Sequence, residues 1–256
     1  MTKNQEYKVL ARKYRPQKFE DLIGQESLVQ ILSNSITNNR IAHAYVLTGV
    51  RGVGKTTTAR LIAMSINCEN REVTECEPCG NCDSCLSIKQ DNNIDVIEMD
   101  AASKTGVDDI REIIENIKYK PVSNTFKIFI IDEVHMLSKS AFNALLKTLE
   151  EPPDHVKFIF ATTEVNKIPI TILSRCQRFD LHRIGNENLT NHLLDIAKLE
   201  KVKIDQDAMV LIVRAADGSV RDGLSLLDQA MSNQNNKIDT KTINSMLGLA
   251  DRNKIF

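Results

Sequence analysis

A glycine-rich segment, GVRGVGKT, occupies residues 49–56 and fits the pattern G-x-x-x-x-G-K-[ST]. It lies between a predicted strand at 44–49 and a predicted helix at 56–67. The glycines let the backbone curl so that its N–H groups point at phosphate oxygens, and the helix dipole favours the same anion. We expect Lys55 to reach the β- and γ-phosphates of a nucleotide and the Thr56 hydroxyl to bind Mg²⁺. The predicted nucleotide-binding residues of this segment are Gly49, Val50, Arg51, Gly52, Val53, Gly54, Lys55, Thr56 and Thr57.

Two carboxylates follow an apolar strand in the segment KIFIIDEVH. A carboxylate at the end of a strand near a phosphate loop can hold Mg²⁺, directly or through water, and we assign this role to Asp132. The next carboxylate, Glu133, can polarise an attacking water molecule, which suits hydrolysis rather than transfer to a second substrate. For His135, an ordinary histidine on a surface loop is at least as good an interpretation as a catalytic one.

Five of the six cysteines lie close together after the predicted helix at 56–67. Four of them are spaced by three residues and form overlapping C-x₂-C units, which is typical of zinc ligands. Zinc needs four thiolates, and five cysteines offer five such sets; the run at 76–85 is the simplest choice from spacing, although a ligand at Cys68 would tie the segment to the helix. The segment is acidic apart from Arg71, so it suits a structural or protein-contact role better than DNA binding.

Composition sets limits on the class of protein. The 256 residues are 42% hydrophobic and 26% charged, which is a globular composition, and the net charge of −1 gives no overall attraction to nucleic acid. No apolar run has the length of a membrane span, and the first twenty residues lack the apolar core of a signal peptide. We therefore expect a cytoplasmic protein without membrane contact, whose cysteines are ligands or free thiols rather than disulfides.

Apolar runs and amphipathic segments alternate up to about residue 183, which predicts a mostly parallel sheet with helices on both faces. The basic N-terminal arm that precedes them is most simply a solvated surface segment. Beyond residue 183 only helices are predicted. The predicted strands are 44–49, 94–100, 126–132, 156–163 and 177–182. The predicted helices are one after Gly24, then 56–67, 107–117, 141–151, 186–200, 206–216, 219–231 and 239–247.

Four longer segments carry a resemblance to a known family: 12–26, 132–153, 161–179 and 218–230. With the phosphate loop and the cysteine insertion, they closely resemble the ATPase subunits of bacterial clamp loaders, the γ/τ subunits of DNA polymerase III, in the AAA+ superfamily. The resemblance implies an α/β AAA+ P-loop domain with a zinc-binding insertion, followed by a small all-α lid. The implied boundaries are 1–183, with the insertion at about 68–90, then 184–238 for the lid and 239–256 for the start of a truncated helical collar.

The resemblance also implies roles for single residues. Thr163 matches a sensor that positions the attacking water, Arg175 an arginine finger that reaches the nucleotide of a neighbouring subunit, and Arg221 a second sensor on the lid. The residues that would wrap the adenine are Arg15, Pro16, Leu22 and Ile23. The zinc ligands that the family pattern selects are Cys68, Cys79, Cys82 and Cys85, which leaves Cys76 as a free thiol, expected at the surface.

The activity implied by the resemblance is ATP hydrolysis, with Mg²⁺ at the phosphates and Zn²⁺ in the insertion, and no polymerase active site is expected in this chain. The expected partners are δ, δ′ and further γ/τ copies, the sliding clamp and primed DNA, with polymerase core and helicase contacts only in segments beyond this chain. Two alternatives remain: another ring-forming AAA+ ATPase acting on DNA, as in branch migration, or a scaffold subunit that binds nucleotide without hydrolysing it.

Overall fold

The computed structural model describes residues 7–72, 74–104, 106–232 and 237–248. The chain divides into two compact units. An α/β unit contains Pro16–Val50 and Gly54–Leu181, and a helical unit contains Met1–Arg15, Arg51–Val53 and His182–Phe256. The boundaries of the lid at 184–238 and of the collar at 239–256 stay predictions, and residues 249–256 of the collar lie outside the described residues.

A five-stranded parallel sheet forms the centre of the α/β unit. Its strands are β1 (Ala44–Thr48), β2 (Val96–Asp100), β3 (Lys127–Asp132), β4 (Val156–Thr162) and β5 (Gln177–Asp180). Their spatial order is β2-β3-β4-β1-β5. The three central strands are buried almost throughout, because helices cover both faces of a parallel sheet. This order places the carboxyl ends of β3, β4 and β1 side by side, where the phosphate loop and the Asp-Glu pair begin.

Helices of the α/β unit cover this sheet. They are α2 (Glu26–Thr37), α3 (Lys55–Asn67), α4 (Asp83–Lys89), α5 (Val107–Ile117), α6 (Lys139–Glu150) and α7 (Ile170–Leu173). Between the sheet and the helices, the rings of Phe129 and Phe158 stack with centroids 5.6 Å apart, and those of Phe158 and Phe160 with centroids 5.7 Å apart. Such aromatic pairs add to the stabilisation that burial alone provides. The sheet and its parallel arrangement are confirmed, whereas α4 and α7 were not predicted.

The helical unit follows the pattern of its apolar residues. Its helices are α1 (Leu10–Lys13), α8 (Asn186–Leu199), α9 (Gln206–Ala216), α10 (Val220–Ser232) and α11 (Thr240–Met246). Two short parallel strands, β6 (Lys203–Ile204) and β7 (Lys237–Ile238), also pair here, in a region where only helices were predicted. Two residues on each strand are too short a run for a sequence pattern to show, and the unit remains helical in character.

The N-terminal arm packs against other helices of its own unit. Leu10 is 3% exposed, and its backbone N–H donates to the carboxylate of Asp228 on α10. The Tyr7 hydroxyl donates to the same carboxylate at 2.7 Å, and Lys13 pairs with Glu200 at 2.6 Å. The prediction of a solvated arm therefore fails at Leu10, which packs into the core, whereas Tyr7 and Val9 remain exposed. None of the helices in the described parts of the chain is long and apolar enough to cross a membrane.

Candidate nucleotide and metal sites

The phosphate loop connects β1 to α3 and has the backbone that its glycines require. Gly54 precedes the helix with φ +105°, and Gly52 has φ +78°, a region that other residues rarely adopt. Lys55 begins α3 and is 6% exposed. Its Nζ donates to the carbonyl oxygens of Gly49 at 2.9 Å and Val50 at 3.0 Å. Burial lowers the pKa of Lys55, although the nearby carboxylates of the Asp-Glu pair oppose that shift.

The Thr56 hydroxyl and the Asp132 carboxylate meet beside this loop. Thr56 Oγ1 donates to Asp132 Oδ2 at 2.7 Å, although 76 residues separate them in sequence. The second carboxylate oxygen, Oδ1, accepts the backbone N–H of Glu133 at 2.9 Å. A hydroxyl and a carboxylate oxygen are the hard ligands that Mg²⁺ prefers, and two protein ligands leave room for phosphate oxygens and water. The pair therefore fits a magnesium ion bound together with a nucleotide.

Glu133 and Thr163 form the next part of the site. Thr163 Oγ1 donates to Glu133 Oε2 at 3.0 Å, and the backbone N–H of Thr163 donates to the same oxygen at 3.2 Å. Glu133 has φ 45°, the left-handed conformation, which turns the chain sharply at the end of β3. The structure thus joins the predicted catalytic base to the predicted sensor, on the ends of adjacent strands.

His135 lies inside this group of side chains, which rules out the surface-loop interpretation and leaves open the catalytic one. Its side chain is 6% exposed. Nδ1 lies 3.0 Å from Thr162 Oγ1 and 3.4 Å from Glu133 Oε2, and Nε2 lies 3.4 Å from Glu164 Oε1. The sequence around His135 carries no signal of this burial, because two of these three contacts, Thr162 and Glu164, come from the end of β4.

Arg175 follows α7 and contacts the end of α6. Its Nη2 pairs with Glu150 Oε1 at 2.6 Å, and its Nη1 donates to the carbonyl oxygen of Thr171 at 2.6 Å. The side chain is 32% exposed, and the contacts that the structure gives it are with this region rather than with Lys55 or Thr56. Its placement is compatible with a role towards a neighbouring subunit.

The remaining predicted nucleotide contacts are distributed over both units. Arg221 is the second residue of α10, with an exposed side chain, and Arg15 belongs to the same helical unit. Leu22 belongs to the α/β unit and is 8% exposed. A Cβ built on Gly54 would lie 4.0 Å from Leu22 Cδ2, so this side chain borders the phosphate loop. Pro16 and Ile23 are half-buried in the α/β unit.

Four cysteine sulfurs gather where the insertion meets α3. The Sγ atoms of Cys68, Cys79, Cys82 and Cys85 all lie within 4.8 Å of one another. Four sulfurs around one zinc ion would lie about 3.8 Å apart, from a Zn–S distance of about 2.3 Å in a tetrahedron, so the cluster needs little adjustment to fit.

Backbone N–H groups support the sulfurs of this cluster. Cys79 Sγ accepts from the N–H groups of Asn81 at 3.5 Å and Cys82 at 3.3 Å, and Cys68 Sγ accepts from the N–H of Cys79 at 3.3 Å. The N–H groups of Asn81 and Cys82 lower the pKa of Cys79 to about 7. Burial raises the pKa of Cys68 and Cys85, so the charge of a bound metal ion would be needed to hold these two as the thiolates that bind zinc.

Cys76 is not part of this cluster, and it is not at the surface either. It is 8% exposed, and its carbonyl oxygen accepts the Ser65 hydroxyl of α3. The expectation of a surface thiol was wrong, because this part of the insertion packs onto the helix. The next residue, Glu77, accepts backbone N–H groups from residues 19 and 20. No sequence pattern predicted that contact.

Two family models match the chain. One, described as "DNA polymerase III, delta subunit", matches residues 24–185, which is more than half of the chain. The other, described as "DNA polymerase III clamp loader subunit, ATPase lid domain", matches residues 188–236.

Similar proteins agree with these models. DNA polymerase III subunit gamma of Buchnera aphidicola subsp. Schizaphis graminum is 50% identical over 98% of this chain and 68% of its own length. The chain belongs to the DNA polymerase III tau/gamma family. Further members are subunit tau/gamma of Haemophilus influenzae and subunit tau of Escherichia coli, each 49% identical over 96% of this chain. The chain spans 36% and 38% of the lengths of these two family members.

Solved structures support the fold. RuvB of Thermotoga maritima, described as a Holliday junction branch migration motor, matches 92% of this chain and 72% of its own chain with a TM-score of 0.63. Its sequence is 19% identical, so the likeness concerns the fold alone. This likeness in fold agrees with the predicted α/β architecture, a parallel sheet with helices that is followed by a helical region.

Proposed function

We propose that the chain is an ATPase subunit of the DNA polymerase III clamp loader, which uses ATP binding and hydrolysis to open the sliding clamp and load it onto primed DNA. The observation that carries the proposal is the 2.7 Å contact between Thr56 and Asp132, beside a complete phosphate loop. This arrangement suits a nucleotide with Mg²⁺, and membership of the tau/gamma family indicates the process in which it is used.

The phosphate loop and Lys55 bind the triphosphate. The loop N–H groups and the first turn of α3 face the phosphate oxygens, and Lys55 supplies a positive charge in a buried position. Low exposure strengthens that charge interaction relative to bulk water. Mg²⁺ held by Thr56 and Asp132 would neutralise phosphate charge and orient the leaving group.

Glu133 accepts a proton from the attacking water molecule. The water oxygen forms a bond to the γ-phosphorus, the bond to the β–γ bridging oxygen breaks, and that oxygen leaves on ADP with the electron pair. Thr163 donates two hydrogen bonds to one oxygen of Glu133. It thereby directs the other carboxylate oxygen towards the water. The products are ADP and phosphate.

The coupling to clamp loading depends on neighbouring subunits. We assign Arg175 to the γ-phosphate bound by an adjacent subunit. We assign Arg221 to a second sensor on the lid, through which the angle of the lid reports the nucleotide state. The proposed partners are δ, δ′ and further γ/τ copies, with the sliding clamp and primed DNA. ATP would favour the closed ring through contacts that ADP lacks, and hydrolysis would release the clamp.

The insertion would bind one Zn²⁺ through Cys68, Cys79, Cys82 and Cys85. A closed set of four thiolates leaves the ion no open position for a substrate, so zinc would supply structural stabilisation rather than chemistry. The insertion's charged side chains are mostly acidic, and Arg71 donates to the carbonyl oxygens of Ser65 and Glu75.

The test is clamp loading by the full-length protein with its partner subunits, clamp, primed DNA and ATP. Lys55→Ala should abolish ATP binding and loading, while Lys147→Ala, which alters an exposed lysine on α6, should leave both unchanged. Strand displacement in place of clamp loading would instead indicate a DNA-translocating ring. Absence of ATP hydrolysis with all components present would indicate a scaffold subunit.

A further inference from the structure

We propose that Glu77 is a positioning residue that links the cysteine cluster to the adenine-binding segment, so that the folded insertion sets the affinity for ATP. This inference rests on the proposed ATP site. It assigns the insertion a role in nucleotide binding, which neither its acidic composition nor its cysteine spacing indicates.

The contact consists of two hydrogen bonds from backbone to carboxylate. Glu77 Oε2 accepts the N–H of Phe19 at 2.8 Å, and Oε1 accepts the N–H of Glu20 at 3.1 Å. Both donors belong to the 3₁₀ turn Phe19–Asp21. The first N–H groups of a helical turn have no partner within it, so the carboxylate supplies acceptors that the turn lacks. Hydrogen bonds to a charged acceptor are roughly twice as strong as neutral ones.

The position of Glu77 depends on the insertion. Its neighbour Cys76 is fixed to α3 by the hydrogen bond from the Ser65 hydroxyl. On the other side, Pro78 restricts the backbone and leads directly to Cys79, a member of the sulfur cluster. Glu77 is therefore held on both sides along the chain: by Cys76, which is bound to α3, and by Cys79, a member of the sulfur cluster two residues further on. Loss of the folded cluster would release one of these attachments.

The position of the base-contacting segment depends on the turn that Glu77 holds. Phe19 is 1% exposed and anchors the turn in the core. The turn leads directly to Leu22, which borders the phosphate loop at Gly54. Asp21 makes the segment stiff, because its carboxylate accepts the N–H groups of residues 17 and 18 at 3.2 Å each. A shift of the turn would therefore carry Leu22 and Ile23 away from the base.

The first experiment compares ATP with a probe that has no base. In the full-length protein, Glu77→Ala should weaken ATP binding about tenfold, the effect of losing a helix-capping carboxylate. Binding of inorganic tripolyphosphate, measured by its competition with ATP at the phosphate loop, should stay unchanged. The rate of hydrolysis at saturating ATP in the assembled complex should also stay unchanged. Glu77→Gln keeps one acceptor oxygen and should give an intermediate loss.

The second experiment removes the metal. Chelation of bound zinc, or Cys79→Ser, should weaken ATP binding by the wild-type protein to a similar extent. In the Glu77→Ala variant the same treatments should produce little further loss, because the link is already broken. Zinc content should be equal in the wild-type and Glu77→Ala proteins, which shows that the variant retains its cluster.

Glu75→Ala is the matched control, because Glu75 is an exposed glutamate two residues upstream in the same insertion. It should bind ATP as the wild type does. Wild-type affinity in Glu77→Ala, or equal weakening of ATP and tripolyphosphate, would overturn the proposal. A wild-type protein that binds no ATP, or a Lys55→Ala variant that still binds it, would instead contradict the proposed function.

Discussion

Glu133 shows how the site depends on single residues. Its backbone is in the left-handed conformation at φ 45°, which costs a non-glycine residue about 1–3 kcal/mol. That cost is offset by contacts at both ends of the residue: its N–H binds Asp132, and its carboxylate binds Thr163. The conformation turns the carboxylate away from the direction of β3 and towards the end of β4. The strain therefore coincides with the position proposed for the catalytic base.

The hydroxyl of Thr163 should matter for the rate of hydrolysis and not for nucleotide affinity. Thr163→Val removes the 3.0 Å hydrogen bond to Glu133 while keeping the shape of the side chain. We expect the turnover rate of the assembled complex to fall about 10- to 100-fold, a part of what a positioned general base contributes. Steady-state hydrolysis and equilibrium ATP binding measure the two effects. Thr163→Ser keeps the hydroxyl and should retain most of the rate, and equal losses in both variants would contradict this role.

At the scale of elements, the three central strands could be predicted because each is an apolar run bounded by turns. Such short, continuous apolar runs are typical of strands in the interior of a parallel sheet, and β1, β3 and β4 lie within a residue or two of the predicted ranges. Helix α4 was missed because its seven residues form less than two full turns of apolar periodicity. The pairing of β6 with β7 joins residues more than thirty positions apart, which no local pattern can show.

The residues of the candidate site also fall into two groups, those that a local sequence pattern reveals and those that only the tertiary structure reveals. Residues in one motif, such as Lys55 and Thr56, could be proposed from spacing alone, and their roles stay predictions. The burial of His135 and the contacts of Glu77 could not be predicted, because both arise from the tertiary structure. His135 is buried by side chains at the end of β4, and Glu77 contacts residues 57 and 58 positions earlier in the chain. Such contacts depend on which strands are neighbours in the sheet, and a single sequence does not reveal that order.

Asp95 anchors a connection between two elements, the loop that leads from α5 into β3. The residue is fully buried, and its carboxylate accepts the backbone N–H groups of Val122, Ser123 and Asn124 at 2.8 to 2.9 Å. Burial opposes ionisation, but these donors outweigh it and lower the pKa of Asp95. The charged form is therefore the one that stabilises the fold.

Removal of this anchor should destabilise the α/β unit in a pH-dependent way. Asp95→Ala leaves three N–H groups without their acceptor and should lower the free energy of unfolding by about 2–4 kcal/mol. The pKa of Asp95 is lower in the folded protein than in the unfolded chain, where it is about 3.9. The stability that Asp95 contributes is therefore fully present above the unfolded pKa and is lost as the pH falls through the folded pKa. The free energy of unfolding of both proteins can be measured with urea at pH 7 and at a series of pH values below 4. The difference between wild type and variant should become smaller as the pH falls. A constant difference would contradict the assignment.

At the scale of the whole molecule, Arg175 stands apart from the other residues proposed for ATP hydrolysis. Lys55, Glu133 and Thr163 lie around the phosphate loop, whereas the contacts of Arg175 are with α6 and α7. Its guanidinium binds Glu150 at the end of α6 and the Thr171 carbonyl oxygen. A carboxylate at a helix C-terminus is unfavourable for the helix dipole, and the arginine compensates for it. An ion pair this exposed contributes at most about 1 kcal/mol, so the arginine can exchange Glu150 for a phosphate at little cost.

Arg175→Ala should therefore impair ATP hydrolysis in the assembled complex without affecting ATP binding by the isolated chain. The isolated variant should bind ATP with wild-type affinity, because its own site is intact. In the complex with partner subunits, clamp and primed DNA, hydrolysis should fall about 1,000-fold or more, the contribution of an arginine supplied in trans. Arg178→Ala removes an exposed arginine that pairs with Asp180 nearby, and it should have no such effect. DNA-stimulated hydrolysis that survives in Arg175→Ala, or a loss of ATP binding by the isolated chain, would show that Arg175 does not act across the subunit interface.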